Sequence, residues 1–305
     1  MLRRPGHPHP TALVAPAAML NASLLTFATL IGIAAGPDTP PAPGAPDAIP
    51  PTATQDGSGS QAESAPTEPA FDHGPWTEIL EARVQGDRFD YAGLKRDRAG
   101  LDAYLAQLEA VRPEELRTWT QDEQKAYFIN AYNAYVVSLV VDNYPIKSIN
   151  DLTTKKVEVW NKPFIPLGPH FKSGRDTLSL NELEHELLRK RYPDARIHVA
   201  VNCASEGCPP LRAAAFTGEE LDEQLDEQAR RFVADSARMK LNQRKKRLEV
   251  SKIFEWFAED FERDAGSVQA WIQRYAPGEA SERKWIAKAK LKYQEYSWKL
   301  NVVKR

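Results

Sequence analysis

The sequence contains only two cysteines, Cys203 and Cys208, among its 305 residues. Two cysteines cannot form the multi-bridge framework that stabilises many small secreted domains. Their C-x4-C spacing is not that of a thioredoxin motif, and no second cysteine pair completes a tetrahedral zinc site. The sequence also has no histidine after Cys203. Any cysteine–histidine chemistry must therefore use a histidine that precedes the cysteine in the chain.

The chain also lacks a strong excess of charge of either sign. Its 40 basic and 42 acidic residues give a formal net charge of −2, so no overall field attracts nucleic acid. A basic run over residues 240–247 is typical of a solvent-exposed turn. The patterns G-x-G-x-x-G, G-x-x-x-x-G-K, H-E-x-x-H and G-x-S-x-G are absent. We therefore expect no nucleic-acid partner, no cofactor and no metal.

The first 36 residues have the pattern of an export signal. Arg3 and Arg4 precede an uncharged run over residues 11–36, which ends in small residues before Pro37. A basic start, an apolar middle and a small-residue exit are typical of a secretory signal peptide. The run is also long enough to serve as an uncleaved membrane anchor, which is the alternative. We expect a secreted, periplasmic or envelope-facing protein whose only membrane contact would be such an anchor.

The rest of the chain divides into a linker and a folded domain. Residues 37–70 are rich in proline, alanine, serine and glycine, a composition that predicts a disordered linker. Residues 71–305 are long enough to bury one sizeable core. Helical patterns there are mixed with a few short strands and do not form repeating βαβ units. This favours a single α+β domain, mostly helical, with a small antiparallel or mixed sheet.

The most apolar helix of this domain is predicted over residues 122–142. Thr120 and Glu123 form a capping-box pattern at its start. Apolar residues occupy nearly every face, so the helix should be buried. Asn130 and Asn133 share one face of it, and buried amide groups need hydrogen-bond partners. We predict that these two residues either brace a neighbouring loop or belong to a binding site.

Residues that can carry chemistry are concentrated between residues 180 and 211. Glu184 and His185 are adjacent in a predicted helix, and His198 begins a predicted strand that leads to Cys203. A thiol nucleophile needs a base, and the base needs a group that orients it. We predict that Cys203 is a catalytic nucleophile, that His185 or His198 is the base, and that Glu184 orients the base.

Other interpretations of the same residues stay open. Cys208 precedes two prolines, and a rigid loop of this kind indicates a structural role. The two cysteines are also compatible with a buried apolar pair or with a short-loop disulfide formed after export. A dithiol that cycles between the reduced and oxidised states is a further alternative. His198 is compatible with a core histidine that has no chemical role.

Several motifs together resemble the family catalogued as domain of unknown function 547, over about residues 71–303. They are F-I-N-A-Y-N-A from Phe128, the pair Glu184–His185, H-x-A-x-N-C from His198 to Cys203, C-P-P-L from Cys208, S-K-I-F-E-W-F from Ser251 and Y-S-W-K-L-N from Tyr296. Ser297 stands where we expect an acidic residue in this family. The resemblance implies a domain type and does not imply a reaction.

Our leading functional hypothesis is an exported thiol hydrolase or transferase, a cysteine peptidase-like enzyme that acts on an amide bond of a peptide or cell-wall peptide. It would resemble papain-like and transglutaminase-like enzymes in a permuted or convergent form, because the histidines here precede the cysteine. One alternative is a non-catalytic binding or scaffold domain of the envelope, and another is a dithiol redox protein. The expected partner is a peptide or an envelope component.

Overall fold

The computed structural model describes residues 70–171 and 174–304. All of them belong to one compact unit that runs from Glu63 to the C-terminus. The predicted signal segment, residues 1–36, and nearly all of the predicted linker lie outside the described residues.

Helices and one small hairpin form the beginning of the described chain. They are α1 (Gly74–Arg83), β1 (Val84–Gln85), β2 (Arg88–Phe89), α2 (Tyr91–Arg96), α3 (Ala99–Ala110) and α4 (Pro113–Leu116). Strands β1 and β2 pair in antiparallel orientation. Pro113 lies in the first turn of α4, where the missing backbone N–H removes no helical hydrogen bond.

The central helix, α5, spans Gln121–Asn143. The predicted capping box is confirmed, since Glu123 N–H donates to Thr120 Oγ1 (3.2 Å) and Thr120 N–H donates to Glu123 Oε2 (2.7 Å). Every residue from Ala126 to Val141 is buried, as its apolar composition predicts. Within the described ranges, no helix has both the length and the apolarity needed to cross a membrane.

Short helical segments connect α5 to the second half of the domain. They are three 3-10 helices (Ile149–Leu152, Val159–Asn161 and Gly168–His170), a π-helix (Glu182–Leu188), α6 (Arg189–Arg191), which continues the π-helix, and α7 (Ile197–Ala200). The strand predicted around His198 is therefore wrong. The Asp194 side chain accepts the Arg196 N–H (2.9 Å) and the Asp194 carbonyl accepts the Ile197 N–H (3.1 Å), which starts a helical turn instead.

The second half contains a mixed sheet covered by helices. Its elements are α8 (Leu221–Ala234), β3 (Met239–Asn242), β4 (Arg247–Val250), α9 (Ile253–Trp256), α10 (Ala258–Ala265), α11 (Val268–Tyr275), α12 (Ala280–Arg283), a 3-10 turn (Ile286–Lys288) and β5 (Lys290–Tyr293). Strand β4 pairs antiparallel with β3 and parallel with β5. The predicted α+β class, mostly helical with small sheets, is confirmed.

Two buried apolar clusters fill the domain, and α7 contributes to both. Ile197 and Ala200 belong to the cluster around α5. Val199 belongs to the cluster formed with α8, α10, α11 and the mixed sheet. Side chains of α7 thus pack into both clusters. His198 and the loop that follows it are therefore held where the two clusters meet.

Candidate functional site

The loop after α7 is closed by a disulfide bond between Cys203 and Cys208, whose Cα atoms are 6.1 Å apart. Cys203 is half-buried, whereas Cys208 is only 3% exposed. Of the interpretations that the sequence left open for the pair, the structure contains the short-loop disulfide. The two cysteines differ in exposure, and Cys203, which the sequence singled out, is the more exposed residue.

Hydroxyl groups surround both sulfurs. The Tyr296 hydroxyl oxygen lies 3.2 Å from Cys203 Sγ and 3.1 Å from Cys208 Sγ, and Ser205 Oγ lies 3.3 Å from Cys203 Sγ. Ser205 donates a hydrogen bond to the Tyr296 oxygen (3.0 Å). Burial raises the pKa of Tyr296, although the bond from Ser205 opposes this shift. Tyr296 therefore keeps its proton at neutral pH and can donate it to a sulfur.

Side-chain hydrogen bonds hold the backbone of this disulfide loop, residues 202–209. Asn202 Nδ2 donates to the Pro209 carbonyl (2.7 Å), and Asn202 Oδ1 accepts the Ala204 N–H (2.8 Å). Ala204 has a φ of +62°, a conformation that is uncommon for a residue with a side chain. The buried Arg238 donates to the carbonyls of Cys208 and Glu206, both at 2.7 Å. The loop is thus fixed by contacts that do not depend on the disulfide.

The C-terminal segment covers one side of the disulfide loop. Glu206 N–H donates to the Lys299 carbonyl (2.7 Å), and Gly207 N–H donates to the Ser297 carbonyl (2.9 Å). A Cβ atom added to Gly207 would lie 2.8 Å from the ring of Tyr296. Glycine is therefore required at this position for the tyrosine to reach the two sulfurs.

The two asparagines of α5 bind backbone groups, so the predicted bracing of a neighbouring loop is confirmed. Asn133 Nδ2 donates to the Ala200 carbonyl (3.0 Å), and Asn133 Oδ1 accepts the Asn202 N–H (2.8 Å). Asn130 makes the same pair of bonds to the backbone of Phe216. The hydrogen bonds of Asn133 connect α5 directly to the start of the disulfide loop. A ligand-binding role for either asparagine stays a prediction.

Three of the four predicted catalytic residues lie together beside α5. Glu184 Oε1 is 3.8 Å from His185 Nδ1 and 3.9 Å from His198 Nδ1. Both of these imidazole nitrogens are buried and lack a hydrogen-bond partner in the described part of the chain. Tyr132 of α5 adjoins the same carboxylate: burial raises the pKa of its hydroxyl, and the charge of Glu184 raises it further.

His198 is held in one orientation by its surroundings. Its Nε2 atom lies 2.6 Å from Asp260 Oδ2, and its ring stacks on Phe257 with centroids 3.8 Å apart. Burial lowers the pKa of His198, and this outweighs the opposing effects of Asp260 and Glu184. A neutral His198 that donates from Nε2 to Asp260 has its lone pair on Nδ1, which faces Glu184.

Asp260 is the central acceptor of this cluster. Arg189 Nε donates to Asp260 Oδ2 (2.7 Å) and Arg263 Nη1 to Oδ1 (2.8 Å). Although burial favours the neutral acid, the hydrogen bonds from His198 and Arg189 lower the pKa of Asp260 well below its usual range. Asp260 is therefore ionised and fixes the tautomer of His198.

The imidazoles and the cysteines form two adjoining groups. In the described ranges, the side-chain hydrogen bonds of Cys203 Sγ go to the hydroxyls of Ser205 and Tyr296, and none goes to an imidazole. Glu184 lies beside the imidazoles, and its charge is a minor cause of the raised pKa of Tyr296, which follows mainly from burial. No set of three His, Cys, Asp or Glu side chains among the described residues is arranged to hold a metal ion.

Sequence reasoning missed Tyr296, Tyr132 and Asp260. Tyr296 had a signal, because it begins the Y-S-W-K-L-N motif. Asp260 had none, since it lies 62 residues from His198 in a segment whose pattern indicates only a helix.

Comparison with known proteins gives one match. Residues 116–233 match the model of a family described as "Protein of unknown function, DUF547". The predicted resemblance is confirmed over this stretch, which contains α5, Glu184, His185, His198 and the disulfide loop. Its extension to about residues 71–303, including Tyr296, stays a prediction. No curated protein and no solved structure matches the chain significantly.

Proposed function

We propose that this domain performs thiol–disulfide exchange with a peptide or protein dithiol through Cys203 and Cys208. One observation carries the proposal: the disulfide joins a half-buried cysteine to one that is only 3% exposed, and one phenol contacts both sulfurs. An accessible sulfur can be attacked by a substrate, while a buried partner is protected from other thiols. Export, which we also propose, would bring the pair into an oxidising compartment.

The exchange proceeds in two substitutions at sulfur. A substrate thiolate attacks Cys203 Sγ and forms a mixed disulfide, and the electron pair of the broken bond leaves on Cys208 as a thiolate. The second thiolate of the substrate then attacks the substrate sulfur of the mixed disulfide, and Cys203 leaves as a thiolate. In total, the substrate dithiol is oxidised to a disulfide, the cysteine pair gains two electrons, and two protons are transferred. Both steps are reversible.

Tyr296 assists this reaction as a hydrogen-bond donor. Its hydroxyl donates to Cys208 Sγ at 3.1 Å, and a bond of this kind strengthens when the acceptor becomes charged. Because burial raises the pKa of Tyr296, the proton stays on the phenol at neutral pH. The leaving thiolate of Cys208 is therefore stabilised without a proton transfer to or from the tyrosine.

The bracing of the disulfide loop supports reversible exchange. A ring of this size contributes only about 2 kcal/mol of loop-closure free energy. Asn202 and Arg238 donate to three backbone carbonyls, and Asn202 accepts one backbone N–H. These bonds contribute about 1 kcal/mol each and do not require the disulfide. The reduced and oxidised states can therefore share one backbone conformation.

A trapping experiment tests the proposal. The Cys208→Ser variant keeps the accessible sulfur and lacks the resolving one, so it should accumulate a mixed disulfide with a two-cysteine peptide supplied as its disulfide. The Cys203→Ser variant is the matched control, and its single buried sulfur should react at least about tenfold more slowly. Intact mass measures both, because the chain has no other cysteine. Equal rates in the two variants, or no adduct with either, would exclude exchange through Cys203.

A second candidate is the amide-directed thiol hydrolase, in the papain-like or transglutaminase-like sense, acting in the reduced protein. The observation that favours it is the position of Glu184 between two imidazoles. Its charge also contributes to the raised pKa of Tyr296, whose hydroxyl contacts Cys203 Sγ. This candidate requires peptide-amide cleavage that appears only with a reductant and is lost in Cys203→Ser. If neither exchange nor cleavage occurs, the domain is the binding or scaffold module.

A further inference from the structure

Tyr296 and three tryptophans form a connected series of ring contacts at the surface of the domain. The Tyr296 ring lies 4.6 Å from that of Trp298 and 4.8 Å from that of Trp256. Trp298 is 6.0 Å from Trp256 and 5.6 Å from Trp160, measured between ring centroids. All four side chains are half-buried, unlike Trp271 of the core, which is 1% exposed. We call these four residues the aromatic cluster.

The members of the aromatic cluster come from three distant parts of the chain. Trp160 lies in the 3-10 helix Val159–Asn161, Trp256 ends α9, and Trp298 belongs to the C-terminal segment. Bringing three large side chains together without enclosing them leaves apolar surface in contact with water, which core packing alone does not require. This arrangement indicates a surface that is completed by a ligand.

The indole N–H groups of the cluster are unused. In the part of the chain that the structure describes, Trp160, Trp256 and Trp298 donate no hydrogen bond from their side chains. None of these nitrogens is among the fully buried polar atoms that lack a partner. A buried indole usually finds an acceptor, and here the acceptors must come from water or from a ligand. The cluster thus offers apolar ring faces together with free donors.

We infer that the aromatic cluster binds the apolar side chain next to the reacting cysteine of a peptide substrate. The inference rests on the proposed exchange reaction and names its substrate class. The contacts of Tyr296 indicate which ligand the cluster binds. Its hydroxyl contacts both sulfurs, while its ring contacts Trp256 and Trp298. The Tyr296 side chain thus connects Cys203 to the tryptophans, and we expect the residue next to a sulfur at Cys203 to reach the cluster along it. A peptide supplies both an apolar side chain for the ring faces and carbonyl acceptors for the indoles.

The test measures binding without redox chemistry. The probe is a labelled hexapeptide with serine in place of cysteine and phenylalanine beside it, titrated into the whole oxidised protein by fluorescence anisotropy. A second peptide with aspartate in place of phenylalanine should bind at least about tenfold more weakly. Trp298→Ala should weaken binding of the phenylalanine peptide by a similar factor. Trp285→Ala is the matched control, since Trp285 is also half-buried and lies outside the cluster.

Each outcome decides the inference. Equal binding of the two peptides, or equal effects of the Trp298→Ala and Trp285→Ala substitutions, overturns it. Trp298→Phe keeps an aromatic ring and should retain most of the affinity, so a misfolded alanine variant cannot be mistaken for a lost site. Binding of a cell-wall oligosaccharide with no binding of the peptide would also overturn it. The probes contain no thiol, so their binding does not depend on the exchange reaction. Failure of the trapping experiment can therefore be distinguished from failure of peptide binding.

Discussion

The disulfide loop and the cluster around Asp260 adjoin each other, yet different forces hold them. The loop is fixed by hydrogen bonds between its backbone and the side chains of Asn202 and Arg238, and by the Tyr296 hydroxyl, which donates to a sulfur. The Asp260 cluster is fixed by an ionised carboxylate that accepts from His198, Arg189 and Arg263. The shape of the first region is therefore insensitive to pH, whereas that of the second depends on which groups carry charge.

This difference separates the roles of the two regions. A redox site gains from a scaffold that does not move when two electrons are added, and the loop has such a scaffold. The Asp260 cluster keeps His198 neutral and holds its Nδ1 3.9 Å from Glu184 Oε1, so it fixes an imidazole beside a carboxylate. Substitutions that perturb one region and spare the other can test the comparison.

The largest effect is expected from Asp260→Ala. This substitution leaves the buried His198 Nε2 and the partly buried Arg189 without their acceptor, which should lower the free energy of unfolding by about 4 kcal/mol. Urea denaturation measures the loss. Glu186→Ala is the control, because it removes an exposed ion pair with Lys190 and should cost less than about 1 kcal/mol. Similar losses in both variants would show that charge does not hold the cluster.

Asn202→Ala should have the next largest effect. It leaves the Ala204 N–H and the Pro209 carbonyl without their partner in a buried loop, at a cost of about 3 kcal/mol. The exposed Asn161 is the control, and its replacement by alanine should change stability by no more than about 0.5 kcal/mol. If the comparison is correct, the loss in Asn202→Ala stays constant between pH 6 and 8, since no titrating group is removed.

A smaller effect is expected from acid. Burial lowers the pKa of His73 to about 4 and also lowers that of His198, so the unfolded chain binds more protons below pH 6.5. The free energy of unfolding must then fall as the pH falls, by about 2 kcal/mol between pH 7.5 and 5 from His73 alone. Asp260 does not offset this, because its lowered pKa keeps its contribution intact throughout that range. Denaturation of the wild-type and His73→Gln chains at both pH values measures how much of the change in unfolding free energy comes from His73. An equal change in both chains would refute the contribution of His73.

Local patterns predicted much of this architecture. The capping box at Thr120 and the apolar residues on every face gave α5 its start and its burial, and the three-residue spacing of Asn130 and Asn133 indicated their bracing role. The turn at His198 was missed because a β-branched run favours a strand, while the deciding contacts come from the Asp194 side chain and carbonyl just before it.

The candidate site was only partly predictable for a different reason. Glu184, His185 and His198 lie close in sequence, so their grouping could be anticipated. Asp260 and Tyr296 reach the site from residues far along the chain, through packing that no local pattern encodes. The state of the cysteine pair was also open, since a C-x4-C spacing fits a thiol pair as well as a disulfide.

If Cys203 and Cys208 exchange electrons reversibly, the reduction potential of the intact protein must lie in the range of dithiol enzymes. The chain would be equilibrated in a series of glutathione or dithiothreitol buffers, alkylated and weighed, with one mass step reporting both cysteines. We predict a midpoint between about −270 and −120 mV, the range of dithiol oxidoreductases. A pair that stays oxidised to below about −300 mV behaves as a structural disulfide and would contradict the account.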